Sequence, residues 1–410
     1  MKICFIASSY PKTDTDGTAR FIRSLAESIH DLGHEVHVLI PDRSDLDLTG
    51  NRIPVHTFRY TLKPSLEIMG YAQAMKSDTQ LRALSYGLAP AFALMEAQAL
   101  MRLHFKHQFD IIHAHWVLPN GVIAAAIADL IRRPLIISLH GSDIFLARRN
   151  MPLGGLASYA FRRCAAVTAC SPELQQGAIH LGADPERLHL IAWGADPEIF
   201  LDEEQSRQEL RASLGISPED FVVLSLGRLV QKKGVIYLLR AFAQVVKNAP
   251  NSICIIAGDG PEREILESTA HSLGVSQKIR FPGAVAWKEV PRWLAASDVF
   301  VVPSIHDDNG NVDGLPTTIL EAMAVGRPVV ATRVAGNELV IRHGYNGLTV
   351  PEKDPLSIGH ALLLLMTQPE VRKRLGKNAR QLLLESLTWR KVAEKFIDIY
   401  RESLNSYAQS

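Results

Sequence analysis

Short apolar runs alternate with amphipathic stretches along the chain, and the alternation occurs twice. In the first half the apolar runs fall at 2–8 (KICFIAS), 35–40, 54–58, 110–115, 134–140, 166–171 and 187–193. Stretches 18–32, 118–131 and 172–181 between them repeat apolar residues at helical spacing. A second series follows at 221–227, 252–258, 278–281, 298–304 and 327–332. Runs this apolar, separated by helices, predict parallel sheets covered on both faces. The fold class expected is α/β, with two doubly wound, Rossmann-like domains. Residues 194–200, which include Gly194, Asp196 and Pro197, read as a linker. The expected division is a first domain over 1–195, a second over 196–385, and a helix over 386–410 returning to the first. Ligands of such sheets lie beyond the strands' carboxyl ends, which predicts a cleft between the domains.

One region breaks the rhythm. Residues 62–107 are long, apolar and helical in pattern where a crossover should be short, and read as a helical insertion. They carry Tyr71, Tyr86, Phe92 and Phe105 together with Met69, Met75, Met95 and Met101. Seven Lys or Arg stand against three acids over 52–107. Two readings remain: packing on the first domain, or a surface that meets a lipid-linked acceptor at the inner, cytoplasmic face of a membrane.

Composition narrows the class. Of 410 residues 47% are hydrophobic and 21% charged, as in ordinary globular proteins. A net charge of +1 gives nucleic acid no electrostatic footing. Cys4, Cys164, Cys170 and Cys254 lack a CxxC spacing and read as buried thiols of a reducing, cytoplasmic setting. His113-x-His115 is half a metal site with no second ligand cluster, so no metal is expected. The amino terminus reads as a first strand, without the cleavage site of a signal peptide. No apolar run reaches the ~20 residues of a membrane span.

Candidate chemistry concentrates in DGLPTTILEAMAVGRPVVAT, residues 313–332. Pro316 suits the first position of a helix, Gly326 its end, and Pro328 forbids continuation. Asp313 then precedes the helix and Glu321 lies more than a turn inside it. The helix start, with the amides of Leu315 and Thr317, favours a phosphate. Two flanking acids accept hydrogen bonds from hydroxyls, and together these features suggest a nucleotide sugar. An acidic cap with a solvated helix glutamate explains this stretch alone equally well. Arg228, Lys232 and Lys233 in GRLVQKKG stand where a strand gives way to a helix and supply cations for a diphosphate. Gly258 and Gly260 of GDG permit close approach of a ligand to backbone, although GDG is also a common turn. Their spacing departs from GxGxxG, which argues against a nicotinamide enzyme. In the first half, residues 8–21 run from the first strand to the first helix, where Gly17 is a candidate to bring backbone amides to a phosphate or acceptor, and His140, Gly141 and Asp143 end a strand. His140 is a candidate contact to a reacting sugar.

These segments together resemble the family 4 retaining glycosyltransferases of the GT-B fold, over nearly the whole chain. The carrying motifs are DGTARFIRSLAESIHDLGHEVHVL, HGSD, GRLVQKKG, GDGPEREILE, FPGAVAWKEVPRWLAASDVFVVPS and the 313–332 stretch. The resemblance implies that Asp313 contacts the donor sugar and Glu321 the ribose hydroxyls, as the two acids of an E-x7-E motif. It implies that Arg228 and Lys233 neutralise the diphosphate, that the Val285 backbone meets the base, and that His140 faces the transferred sugar. Three positions depart from the family: Asp313 stands for Glu, Pro316 for Gly, and Asp16 for one of a glycine pair. The reaction implied is hexosyl transfer from a UDP- or GDP-linked sugar to a hydroxyl of a glycan, a lipid-linked sugar or a small molecule. No cofactor or metal requirement is expected, and closure of the domains assembles the site. A sugar-nucleotide epimerase of the same fold and a non-catalytic nucleotide-sugar or glycan binder are the alternatives.

Overall fold

The computed structural model describes residues 1–71, 73–77 and 80–409, with backbone alone at 75–77 and 80. Its contacts divide the chain into one unit of Met1–Ala192 with Trp389–Ser410, and a second of Trp193–Thr388.

The first unit is built on a seven-stranded sheet. Its strands are β1 (Lys2–Ile6), β2 (Glu35–Pro41), β3 (Val55–Phe58), β6 (Ile111–His115), β7 (Leu135–Leu139), β8 (Ala166–Ala169) and β9 (Leu188–Leu190), ordered 3-2-1-6-7-8-9. Between them, β4 (Met75–Ser77) and β5 (Gln80–Leu81) form a separate antiparallel pair. All six pairings of the large sheet are parallel. Every residue of β6 and β7 is buried, as expected of central strands covered on both faces. The second unit carries β10 (Phe221–Leu226), β11 (Ser252–Ala257), β12 (Ile279–Gly283), β13 (Val299–Val302), β14 (Val329–Thr332) and β15 (Gly347–Val350) in the order 12-11-10-13-14-15, again all parallel. Its core joins Val223, Cys254, Ile256 and Val301 from the sheet to Leu238, Phe242 and Leu362 from the helices laid on it.

The terminal helix Trp389–Ala408 packs on the helix Arg20–Asp31. It buries Phe396 and Tyr400, and the Tyr400 hydroxyl meets His113 Nδ1 at 2.8 Å. The other nitrogen of His113 lies 2.7 Å from Ser138 Oγ. Both nitrogens of His113 are thus engaged in this interior contact.

The expected helix over 62–107 is corrected. A continuous helix runs only over Ala83–His107. Upstream the chain forms one short turn at Pro64–Leu66 and the β4–β5 pair. Gly70 stands at φ 115°, outside helical backbone, and a Cβ there would lie 2.2 Å from the Ser8 carbonyl oxygen, so helix does not pass through it, whereas Pro90 is accommodated inside the helix Ala83–His107. Along Ala83–His107 the buried residues are Ser85, Phe92, Glu96, Leu100 and His104, a stripe at near-helical spacing. Leu84, Tyr86, Leu94 and Phe105 remain exposed. No helix among the described residues is long and apolar enough to cross a membrane.

Candidate active site

In the second unit the loops after β10, β11, β12 and β13, all at strand carboxyl ends, come together. The loop after β10 makes a short turn at Gln231–Lys233 and enters the helix Val235–Asn248 through Gly234. Gly234 sits at φ 63°, and a Cβ there would lie 2.0 Å from the Pro303 carbonyl oxygen. Only glycine lets this loop press so closely on the one after β13. Ile305 N donates to Lys232 O at 2.8 Å across the same junction.

The loops carry complementary charge. Lys233 Nζ lies 2.6 Å from Asp313 Oδ2, and Lys232 Nζ 3.4 Å from Asp313 Oδ1. The Asp313 side chain is 13% exposed, so the pairs are well shielded from water. Burial pushes the Asp313 carboxyl upward, but Lys233 and then Lys232 outweigh it and hold the group below its ordinary range. Asp313 is therefore an anion gripped by two ammonium groups. Arg228, exposed, shares one crevice with Lys233 and Thr318.

The helix after Asp313 runs Thr317–Val325. Pro316 is its cap residue, in an extended conformation at ψ 118°, and not its first helical residue as the sequence suggested. Leu315 and Pro316 are buried, while Thr317 is half-buried at the helix start. The first amides of any helix have no partner within it and face outward from its start. Gly326 closes the helix at φ 77°.

Glu321 is only 9% exposed, which disposes of the solvated-glutamate reading. Burial lifts its carboxyl to about 7, against a hydrogen bond from Trp287 that lowers it. Trp287 follows the 284–286 loop after β12, so half-buried Val285 lies two residues from the side chain that touches Glu321. Sequence reasoning missed Trp287; its only signal was an aromatic residue just beyond a strand.

Gly258 and Gly260 act differently from expectation. A Cβ on Gly258 would lie 1.9 Å from the Gly227 carbonyl oxygen, and one on Gly260 2.3 Å from that of Leu229. Leu229 N donates to Asp259 O at 2.8 Å. The close approach they permit is thus to the neighbouring loop, which they buttress behind Arg228.

In the first unit Gly17 is exposed in the loop leading to the helix Arg20–Asp31. The Asp16 carboxylate accepts from Lys12 N at 2.9 Å and from Thr18 N at 2.9 Å. A side-chain anion therefore already occupies two of the amides that a glycine pair would leave to a ligand. His140 follows β7, with Trp116 at 4.6 Å and Phe21 at 4.8 Å between ring centroids, and its Nε2 lies 3.1 Å from His115 Nδ1. Burial, and secondarily His113, hold its imidazole well below the usual range, so it is neutral. Asp143 Oδ1 accepts from Gly141 N and Oδ2 from Val117 N, tying the loop after β7 to the loop after β6. Beside these loops an apolar cavity of about 340 Å³ is lined by Met69, Tyr86, Trp116, Val122, Leu146 and Leu153 among others.

Comparison with known proteins places this arrangement. Residues 15–199 match the family described as Glycosyltransferase Family 4, and residues 206–382 match Glycosyl transferases group 1. The chain is 26% identical to an uncharacterized glycosyltransferase of Methanocaldococcus jannaschii, over 98% of each chain. It is 30% identical to the D-inositol 3-phosphate glycosyltransferase of Corynebacterium glutamicum, over 73% of each. Its fold follows that of Anabaena HepE, solved in complex with UDP-glucose, with a TM-score of 0.73 and 22% identity over 99% of this chain and 100% of that one. Two parallel Rossmann-like units and matches spanning both halves lead to one assignment: the chain belongs to the group 1, family 4 glycosyltransferases of the GT-B fold.

Proposed function

We propose that the protein transfers a hexosyl group from a UDP- or GDP-linked sugar to an acceptor hydroxyl, with retention at the anomeric carbon. The observation that carries the reading is Asp313, gripped by Lys232 and Lys233 directly before a helix start. Anion-binding amides and two ammonium groups suit a diphosphate, and a buried acid suits sugar hydroxyls. The UDP-glucose complex of HepE supports a nucleotide-linked donor. As the anomeric carbon–phosphate oxygen bond breaks, Arg228, Lys233 and the helix amides take up the charge on the leaving diphosphate. The acceptor oxygen attacks from the same face, and its proton passes to the departing phosphate oxygen. Asp313, clamped by two cations, is a poor nucleophile, which favours this route over a covalent glycosyl-enzyme. Glu321 holds the ribose, the 284–286 backbone at Val285 meets the base, and neutral His140 contacts the sugar.

A thermal-shift panel of nucleotides identifies the base: a ligand at ~100 times its dissociation constant stabilises the fold by about 2.7 kcal/mol. With the matching donor, nucleotide diphosphate appears only when acceptor is present, the product keeps the donor's anomeric configuration by NMR, and EDTA leaves the rate unchanged. An inverted product, or release that needs added metal, overturns the scheme.

The acceptor is assigned to the apolar cavity beside His140, whose ~340 Å³ falls at the lower end of the volumes that hold small ligands. Tyr86 and Leu156 line it and expose apolar surface, which suits a lipid-linked acceptor presented at a membrane's cytoplasmic face. Of the basic residues in this region, Arg59 is paired with Asp42 at 2.6 Å, and the Lys76 and Met75 side chains lie outside the described residues. Lys63 and Arg82 are exposed, as are Arg102 and Lys106 on the long helix, and these cations suit anionic lipid. Flotation with anionic liposomes at low salt is expected for the parent. Neutralising Lys63 and Arg82 should weaken partitioning by about 2 kcal/mol, roughly thirtyfold. No flotation of the parent, with full activity on a soluble acceptor, leaves the helix Ala83–His107 as packing alone.

A further inference from the structure

We propose that His37, His56 and His107 form a binding site for a divalent transition metal of the zinc class, on the first unit and separate from the transfer chemistry. The three residues come from β2, from the edge strand β3 and from the last position of the helix Ala83–His107. One ligand atom from each lies within 4.8 Å of the other two. The site lies toward the amino-terminal end of β2, whereas His140 follows the carboxyl end of β7 in the same parallel sheet.

The second-sphere geometry points the same way. His37 Nε2 lies 3.0 Å from Glu35 Oε1, and a carboxylate there fixes the ring proton on Nε2. That leaves the Nδ1 lone pair of His37 turned inward, 2.8 Å from His56 Nε2. Nε2 of His107 is shielded from water and has no hydrogen-bond partner among the described residues, a buried polar atom that protein contacts leave unexplained. Phe109 closes one side, at 5.3 Å from the His37 ring and 5.8 Å from that of His107. Lys2 Nζ holds the His107 carbonyl at 3.2 Å and fixes the helix end that carries the ligand.

A metal–nitrogen bond of ~2.0–2.1 Å sets ligand nitrogens roughly 3.4 Å apart in a tetrahedron. The 2.8 Å His37–His56 contact therefore opens by about half an ångström on loading, and the longer separations contract. His56 then carries its proton on Nδ1 and presents the Nε2 lone pair. Three imidazoles leave a fourth position for water. The metal ties the edge strand and the end of the long helix to β2, so it pins both ends of the segment between His56 and His107.

The test uses the untagged full chain, stripped with EDTA and titrated with Zn²⁺ by calorimetry. Expected are one saturable equivalent, a rise in melting temperature, and slower proteolysis between residues 59 and 106. His56 and His107 are half-buried, so His56→Gln with His107→Gln should keep the circular dichroism of the parent while losing the equivalent. Glu35→Gln should weaken binding by about 10–100-fold through the orientation of His37. Absence of saturable uptake by the parent, or uptake unchanged in the folded double variant, overturns the proposal.

Discussion

Lys233→Ala and Arg228→Ala should each lose about a hundredfold or more in turnover, while both variants stay folded. The loss follows from what the cations are asked to do. In the proposed reaction charge develops on the leaving diphosphate only as the glycosidic bond breaks, so a fixed cation there acts more strongly on the transition state than on the bound donor. Removing one such group typically costs ~2.7–4 kcal/mol. Folding is spared because the loop is held by backbone bonds: Gly227 N to Ala257 O at 3.0 Å, Leu229 N to Asp259 O at 2.8 Å, and Ile305 N to Lys232 O at 2.8 Å. None of these involves the truncated side chains. Lys233→Ala has a second consequence, since Asp313 keeps only Lys232 at 3.4 Å and its carboxyl moves upward. Its turnover should therefore fall more steeply on acidification than that of Arg228→Ala. Steady-state rates across pH, with melting curves on the same samples, check both points. Near-normal turnover in both variants would remove the diphosphate clamp from the mechanism.

The parts of this site that were legible in the sequence share a cause. Asp313, Pro316 and Gly326 sit at the punctuation of a helix, where local rules are strong. Arg228 and Lys233 follow an apolar run that could only be a central strand. What escaped depends on contacts between distant residues. No spacing rule announces that Trp287 meets Glu321, or that Lys233 is already paired with Asp313. Nor does any motif announce a cluster of His37, His56 and His107, drawn from two strands and a helix end. The same holds for elements. β15 was missed because GLTV is short and follows Gly344, Tyr345 and Asn346, which read as turn. Apolar periodicity carries the expected helix back from Ala83 to residue 62, whereas the backbone departs from helix at Gly70, at φ 115°, even though the helix Ala83–His107 accommodates Pro90. Gly258 and Gly260 were recognised as sites of close approach, but the backbone they approach is the chain's own.

Glu321→Gln should make the protein more stable above neutral pH and a poorer binder of nucleotide diphosphate. The carboxyl stands at about 7 in the folded chain against a reference of 4.5, first because burial disfavours its charged form. Between these values the folded state binds more protons than the unfolded one, so stability falls as pH rises from ~4.5 to ~7 and stays reduced above. A shift of this size amounts to about 3 kcal/mol at most, at 1.36 kcal/mol per pH unit. The amide cannot ionise and escapes the penalty. Wild type and Glu321→Gln should therefore unfold alike in urea near pH 4 and diverge by up to about 3 kcal/mol at pH 8. In the proposed scheme the acid provides a charged acceptor for ribose hydroxyls, and hydrogen bonds to charged groups contribute ~1.5–3 kcal/mol each. Glu321→Gln and Glu321→Ala should both bind nucleotide diphosphate roughly ten- to a hundredfold more weakly by calorimetry. Asp313→Ala behaves oppositely toward the same ligand. It releases Lys233 from its internal anion, so diphosphate affinity holds or rises while use of the whole donor collapses. Equal weakening by Asp313→Ala and Glu321→Ala would mean that the two acids do not divide sugar and ribose between them.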